Sequence, residues 1–107
     1  MPRARKKNVP HEWIDQLAQF STEAERRKFL TEHRGLARKE FVEKLAELVV
    51  ERVRVSTQEA LHLAETAILI ADRLKRKDAL APSLRAKANA LYSSGDNRAA
   101  TDLHRQA

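Results

Sequence analysis

The chain has 107 residues, which suits one ordinary domain. It contains no cysteine, which excludes a disulfide scaffold, a thiolate nucleophile and any cysteine-ligated metal site, and its two glycines leave no Gly-rich phosphate loop. No segment approaches the roughly 18 consecutive apolar residues of a membrane span, and no apolar segment follows the basic start. These features predict a soluble, cytoplasmic helical protein.

The positive charge is concentrated at the N-terminus. Lys and Arg number 21 against 15 Asp and Glu, a net charge of +6, and four of these charges come from Arg3, Arg5, Lys6 and Lys7. Such an arm could contact nucleic acid or another polyanion. Four charges without interleaved aromatic residues bind phosphates weakly, so we expect residues 1–9 to be a disordered tail that aids solubility.

Two short helices are predicted first. Pro10 suits the first turn of a helix that runs to about Gln19, with an apolar stripe of Trp13, Leu17 and Phe20. A second helix should begin near Glu23, after a capping box, and end before a glycine that serves as a left-handed C-cap. The capping pair is Thr22 with Glu25, and the glycine is Gly35. The apolar positions of this second helix are Ala24, Phe29 and Leu30.

Two longer helices are predicted next. The third should run from about Leu36 to Arg54, with apolar residues on one face and charges on the other. The fourth should open with a capping box at Ser56 and Glu59 and continue to about Lys77. The apolar positions of the two helices are Phe41, Leu45, Leu48, Val49 and Val53, and then Ala60, Leu63, Ala64, Ala67, Ile68 and Ala71. The small residues of the fourth helix allow helix axes to approach closely, which suits paired antiparallel helices.

The last part of the chain predicts two more helices. One should begin at Pro82 and reach about Tyr92, and a turn at 93–97 should lead to a final helix that carries Ala99, Ala100, Leu103 and Ala107. No segment alternates with a period of two for long enough to form a strand. The predicted fold class is all-α, built of antiparallel helix pairs, with N-terminal helices over 10–55 and a second set over 56–107.

The alanine spacing of residues 81–107 resembles the tetratricopeptide repeat. The matching positions are Leu84 at the bulky first position, Ala88 at the small helix-crossing position, Leu91 at the aromatic position with Tyr92 beside it, Gly95 in the turn, Ala100 at the second small position and Ala107 at the end. Lys87 and His104 depart from the pattern, and the terminal proline is absent. An earlier half-repeat, Ala60 to Ala67, matches Ala100 to Ala107.

This resemblance covers 56–107 and implies a TPR-like α-solenoid fragment, with 10–55 as capping or degenerate helices. The wider arrangement is similar to the N-terminal regions of large bacterial proteins that join such repeats to a caspase-like peptidase or another effector. Because the last helix has an apolar face with no following helix to cover it, we expect a truncated chain. A generic antiparallel bundle is the alternative.

No catalytic constellation is evident. The pair His11-Glu12 would need a second histidine at position 15 to begin a zinc-protease motif, and Asp15 stands there. The four histidines fall on four predicted helices, so no two have the spacing that binds a metal, and His62 and His104 are expected to pack between helices. We therefore predict no enzyme activity, no metal and no cofactor.

Recognition is the favoured activity. In tetratricopeptide repeats the first helix of each pair lines a groove that binds a peptide, and Arg85, Asn89 and Tyr92 share one face of that helix here. Arg and Asn four residues apart resemble the pair with which some of these domains bind a terminal carboxylate, although the remaining donors of such a clamp are absent. A surface without a ligand is the alternative. Trp13 could anchor a partner, but core packing is preferred.

These observations predict a protein–protein interaction module, a scaffold or adaptor, as the N-terminal part of a longer protein. One alternative is a nucleic-acid-binding accessory protein that uses the basic arm together with two basic clusters, Arg26-Arg27-Lys28 and Arg34, Arg38 and Lys39. A second alternative is a small bundle that self-associates through its uncovered last helix.

Overall fold

The computed structural model describes residues 10–93, which form five α-helices and no strand. The helices are α1 (His11–Gln19), α2 (Glu23–Glu32), α3 (Lys39–Arg52), α4 (Thr57–Leu74) and α5 (Lys77–Ser93), with a 3-10 turn at Arg34–Leu36 between α2 and α3. The all-α prediction is confirmed for this range. The basic tail over 1–9, the turn at Gly95 and the last predicted helix lie outside the described residues.

Helix α4 lies at the centre of the fold, in contact with α1, α3 and α5. Helices α3 and α5 also contact one another, so α3, α4 and α5 form a three-helix bundle. Four residues separate α3 from α4 and two separate α4 from α5, and such short links join antiparallel neighbours. The predicted alanine stripe of α4 is confirmed as buried: Ala60, Leu63, Ala64, Ala67 and Ala71 are fully buried, and Ile68 is half-buried.

The core joins these helices through large side chains that have no accessible surface. Leu17 of α1, Leu45 and Val49 of α3, and Leu63 and Ile70 of α4 are all fully buried in one apolar cluster. The faces predicted for α1 and α3 are correct in part, since an apolar stripe that recurs every three to four residues needs cover. The predicted positions that are buried are Leu17, Phe41, Leu45 and Val49, and those that are half-buried are Trp13, Phe20, Leu48 and Val53. Ile14, Ala18 and Val42 are also buried and were not predicted. Trp13 is half-buried against this cluster, as expected for a packing role.

The two helix starts predicted from capping boxes are both correct. The Thr22 hydroxyl accepts from the Glu25 backbone N–H, and the Glu25 carboxylate accepts from the Thr22 N–H in return. Ser56 likewise caps α4 by accepting from the backbone N–H of Glu59 at 3.2 Å. The Glu59 carboxylate instead accepts hydrogen bonds from Arg52 and Gln19. The capping box of α4 therefore has only one of its two hydrogen bonds, because side chains from other parts of the chain bind the Glu59 carboxylate.

The helix ends were predicted less well. Gly35 is not the left-handed C-cap of α2, since it lies within the 3-10 turn and its φ is outside the left-handed region. The left-handed residue is Lys75, with φ 55°, which ends α4 at Leu74. It does so because the chain must reverse within two residues to place α5 against α4.

The prediction that α5 begins at Pro82 is wrong, because Pro82 lies inside the helix. The helix starts five residues earlier, at Lys77. An internal proline removes one helical N–H bond, here the one that would be donated to the carbonyl of Asp78. The helix nevertheless continues through Pro82, with Ala79, Ser83 and Ala86 buried on either side of it.

The packed face of α2 also differs from the prediction. Phe29 and Leu30 are buried as expected, but Ala24 is exposed and Arg26 is buried, with 7% of its surface accessible. Arg26 lies three and four residues before Phe29 and Leu30, so its aliphatic stem shares their face. The pattern of charges predicts that an arginine lies at the surface. Arg26 departs from that prediction because its long aliphatic stem can be buried.

Candidate interaction surfaces

The predicted site residues Arg85, Asn89 and Tyr92 all lie on one exposed face of α5, which we call the α5 surface. Tyr92 is 62% exposed. Among residues 10–93, none of the three makes a side-chain hydrogen bond or an ion pair. The structure therefore presents a guanidinium, an amide and a phenol side by side to solvent.

The opposite face of α5 orients this surface. A stripe of small residues packs into the core, namely Ala79, Ser83, Ala86 and Ala90. The Ser83 hydroxyl donates to the Ala79 carbonyl at 2.9 Å, which satisfies it without a partner from another helix. On the adjoining bundle face, Lys87 bridges to Glu65 of α4 at 2.7 Å. Since small residues bring α5 close to α4, the rotation of α5 is fixed and the α5 surface points away from the bundle.

The predicted repeat positions of α5 lie away from that packed stripe. Ala88 is fully buried, and Leu84 and Leu91 are half-buried. These positions fall about a third to half a turn from Ala79, Ser83, Ala86 and Ala90 at 100° per residue. The repeat pattern therefore marks a side of α5 other than its stripe of small buried residues.

A second surface, absent from the sequence predictions, is an open groove between α1 and α3, which we call the α1–α3 groove. Its volume is about 1140 Å³. His11 and Ile14 line it from α1, and the residues contributed by α3 and its C-terminal extension include Phe41, Lys44, Leu48, Glu51 and Val55. Sequence reasoning missed the groove because it depends on α1 packing beside α3. The signal available in the sequence was the spacing 41, 44, 48, 51, 55 along one helix face.

A polar network ties the end of this groove to the core. Arg52 donates to Glu59 at 2.8 Å and to Asp15 at 3.3 Å, and Gln19 donates to the other oxygen of Glu59 at 3.0 Å. The hydrogen bond from Arg52, together with that from Gln19, lowers the pKa of Glu59 below its ordinary value of 4.5. The hydrogen bond to Glu59 raises the pKa of Arg52 in turn. The Arg52–Glu59 pair therefore stays ionised at neutral pH, and the network links α1, α3 and α4.

A second ion-pair cluster joins the starts of α3 and α5. Arg76 donates two hydrogen bonds to Asp78, and Lys39 lies 3.2 Å from the same carboxylate. The two bonds from Arg76, aided by Lys39, hold the pKa of Asp78 well below its ordinary value of 3.8. This cluster is structural, because all of its charges are neutralised within the chain.

The basic clusters of the nucleic-acid alternative are largely engaged. Arg26 is buried, Arg27 pairs with Glu23 at 2.6 Å, and Lys39 pairs with Glu43 and Asp78. That leaves Lys28, Arg34 and Arg38 as exposed cations that make no ion pair within residues 10–93. The tail residues Arg3, Arg5, Lys6 and Lys7 lie outside the described range. Three of the six basic residues in the two described clusters therefore make no ion pair within residues 10–93 and are exposed.

The described histidines have separate roles. The Nδ1 of His62 bonds to the Ala18 carbonyl at the end of α1, and its Nε2 lies 3.3 Å from the Gln58 amide. This arrangement confirms the prediction that His62 packs between helices. His33 stacks on Phe29 and bonds to its carbonyl, while His11 is exposed at the rim of the groove. His104 lies outside the described residues.

Within residues 10–93, no group of three His, Cys, Asp or Glu side chains is arranged to hold a metal ion. In the same range no helix is both long and apolar enough to cross a bilayer. Comparison with protein-family models, with curated proteins and with solved structures finds no match for this chain.

Proposed function

We propose that this chain is a protein-interaction module that binds a partner peptide on the α5 surface. The observation that carries the proposal is the exposure of Arg85, Asn89 and Tyr92 together on one helix face, with no side-chain partner among the described residues. Tyr and Arg are the residue types most enriched where a few side chains dominate binding energy. These exposed groups hydrogen-bond to water in the free chain, so the support for the proposal is the combination of residue types on one face.

The chemistry of the α5 surface favours an acceptor-rich segment. The Arg85 guanidinium offers a planar fork of donors, and the Asn89 amide and Tyr92 hydroxyl each add a donor. Four residues of helix advance about 6 Å, and seven advance about 10.5 Å. Three donors along that length match a terminal carboxylate and the backbone carbonyls that precede it. We therefore infer a peptide with a free C-terminal carboxylate as the ligand class.

The helix arrangement supports placing the chain with TPR-like repeats. Helices α3, α4 and α5 contact one another pairwise, as the first and second helix of one repeat contact the first helix of the next. On this assignment α5 is the first helix of a repeat, and the adaptor or scaffold role follows from the exposed face of that helix.

The test is a binding assay with two matched peptide pools. One pool carries free C-terminal carboxylates and the other the same sequences as amides, and fluorescence polarisation is measured with the full chain. We expect preferential binding of the carboxylate pool and a loss of at least tenfold in affinity on Arg85→Ala, since a charge-assisted bidentate contact contributes about 1.5–3 kcal/mol.

Lys28→Ala provides the matched control, because Lys28 is also an exposed, unpaired cation but lies on α2. Equal affinities for parent, Arg85→Ala and Lys28→Ala, or no binding from either pool, would contradict the proposal. Binding of duplex DNA with a steep salt dependence that Arg85→Ala leaves unchanged would instead favour the nucleic-acid alternative.

A further inference from the structure

Positive charge is concentrated at the end of the bundle where α3 and α5 begin and α4 ends, which we call the basic end. Lys39 at the start of α3 lies 3.2 Å from Asp78 at the start of α5, so the two helix starts are adjacent. Helix α4 ends there as well, because only two residues separate Leu74 from α5. The fold therefore brings together two basic segments that are far apart in the sequence. They contain Arg34, Arg38 and Lys39, and then Arg73, Lys75, Arg76 and Lys77.

Most of this positive charge is not neutralised within the described chain. Arg76 and Lys39 are the exceptions, since both pair with Asp78. The remaining cations are exposed and make no ion pair within residues 10–93, namely Arg34, Arg38, Arg73, Lys75 and Lys77. The exposed carboxylates at this end that also make no ion pair in that range are Glu32, Glu40 and Asp72. Free cations therefore outnumber free carboxylates at the basic end.

The backbone adds positive potential at the same end. The first N–H groups of a helix have no partner inside the helix and carry partial positive charge. Both α3 and α5 begin here, and Arg38 at the N-cap of α3 forms no side-chain capping bond. Backbone donors at the start of α3 therefore lie beside the free cations, an arrangement that suits a phosphate group.

Three of the free cations occupy positions that folding alone disfavours. Lys75 is the one residue other than glycine with a positive φ, 55°, within residues 10–93, in a conformation that glycine adopts more readily. Arg38 and Lys77 lie at the starts of α3 and α5, where the helix dipole favours acidic residues. Residues that oppose folding in this way indicate a binding role, because backbone strain is concentrated at functional sites.

We propose that the basic end binds the phosphate backbone of duplex nucleic acid without reading its sequence. Lysine and arginine contacts to phosphates supply binding of this kind. Among residues 10–93 the large exposed apolar side chains are Val50, Val55 and Tyr92, all near the other end of the bundle. The free cations are therefore accompanied neither by an exposed aromatic ring that could stack on unpaired bases nor by a large exposed apolar side chain that could enter a bilayer. This favours a duplex over a single strand or a membrane.

The experiment is fluorescence polarisation of the full chain with a labelled DNA duplex over a range of salt concentrations. Each neutralised phosphate contributes about −0.9 to the slope of log affinity against log salt, so five contacts predict a slope of about −4.5 or steeper. Replacing Arg73, Lys75 and Lys77 together by Gln should flatten the slope by about 2.7. The matched control replaces Lys28, Lys44 and Arg54 by Gln, which removes the same charge from exposed, unpaired cations elsewhere and should leave the slope nearly unchanged.

Lys75→Gly separates the binding role from folding. Glycine adopts a positive φ more readily than lysine, so this variant should melt at a higher temperature than the parent. It should nevertheless bind the duplex more weakly, with a slope flatter by about 0.9, because one phosphate contact is lost. Circular dichroism checks that every variant keeps its helices. A Lys75→Gly variant that binds as the parent does would mean that Lys75 makes no phosphate contact, against the proposal.

Three further results would overturn the proposal. The first is an absence of duplex binding at low salt, and the second is equal flattening by the basic-end and control replacements. The third is a slope that changes only when the tail cations Arg3, Arg5, Lys6 and Lys7 are replaced. Tighter binding to vesicles of phosphatidylserine and phosphatidylcholine than to the duplex would instead identify a membrane surface.

This inference does not rest on the proposed function, since the α5 surface is formed by other residues. A chain that binds a peptide at the α5 surface and a duplex at the basic end has two separate sites. A chain that binds the duplex and no peptide has the role of the nucleic-acid alternative.

Discussion

The two halves of the described structure are held together in different ways. Helices α3, α4 and α5 pack along their lengths through continuous apolar stripes, so many fully buried side chains contribute to the stability of this half. Helices α1 and α2 contribute fewer fully buried side chains to the same apolar core, and an aromatic cluster joins these two helices to each other. Trp13, Phe20 and His33 surround Phe29, with ring centroids 4.1–6.1 Å apart. His62 reaches one carbonyl of α1.

Because of this difference, we expect the two halves to unfold locally in a definite order. Local stability follows the buried apolar contact that an element makes, so elements with fewer contacts unfold at lower free energy. We expect α1 and α2 to lose protection from hydrogen exchange before the bundle does. The α1–α3 groove lies at the junction between the two halves, and the α5 surface lies wholly within the bundle of α3, α4 and α5, which we expect to be the more stable half.

Breaking the bundle should have the largest effect. Leu63→Ala removes a fully buried side chain from the central helix, which contacts α1, α3 and α5. Loss of the apolar burial and the remaining cavity should lower the free energy of unfolding by about 2–5 kcal/mol. Denaturant titration followed by circular dichroism measures this. Val50→Ala, at a position that is 57% exposed, is the control and should change the midpoint little. Equal effects of the two variants would refute the central role of α4.

Breaking the aromatic cluster should have a smaller and more local effect. Phe29→Leu keeps an apolar side chain in place but removes three ring contacts, which together contribute about 1–3 kcal/mol beyond burial. Amide hydrogen exchange should show lost protection in α1 and α2, with protection in α4 and α5 retained. A uniform loss across all five helices would mean that the two halves unfold as one unit, against the comparison drawn above.

Replacing the buried arginine should strengthen the weaker half. The Nε of Arg26 is buried and has no hydrogen-bond partner within the described residues. Arg26→Met keeps the apolar stem and removes the unsatisfied group, so the free energy of unfolding should rise by about 1 kcal/mol. A thermal melt is sufficient to measure it. Arg27→Met on the exposed side of α2 serves as the comparison, and a destabilised Arg26→Met would show that this guanidinium has a stabilising role.

Acid should produce the smallest effect, and it should act on both halves. The folded-state pKa of Glu59 lies below 4.5 and that of Asp78 lies below 3.8, so both contribute stability above those values and lose it as pH falls through their folded pKa. Glu59→Gln and Asp78→Asn should each melt below the parent at neutral pH, and the differences should shrink in acid. If the differences in melting temperature between parent and variants stay unchanged below pH 3.8, the effect comes from packing and not from the charge of the carboxylates.

The local features of the fold could be read from the sequence. The starts of α2 and α4 follow from capping residues, because Thr22 and Ser56 satisfy backbone donors only three residues away. The buried faces of α3 and α4 follow from spacing, since a stripe that repeats every three to four residues needs cover. The exposed face of α5 followed in the same way from Arg85, Asn89 and Tyr92.

The tertiary structure decided what local rules left open. Arg26 is buried and Ala24 is exposed because Arg26, and not Ala24, shares the helix face of Phe29 and Leu30 that packs on the core, and the aliphatic stem of Arg26 can be buried there. Pro82 lies inside α5, which is buried on both sides of it at Ala79, Ser83 and Ala86. The α1–α3 groove exists only because distant segments meet. The sequence determined which helices form and most of the apolar faces of α3 and α4 through interactions within a few residues. Packing between remote helices decided where the helices end, which faces of α2 and α5 are buried, and the surfaces between helices.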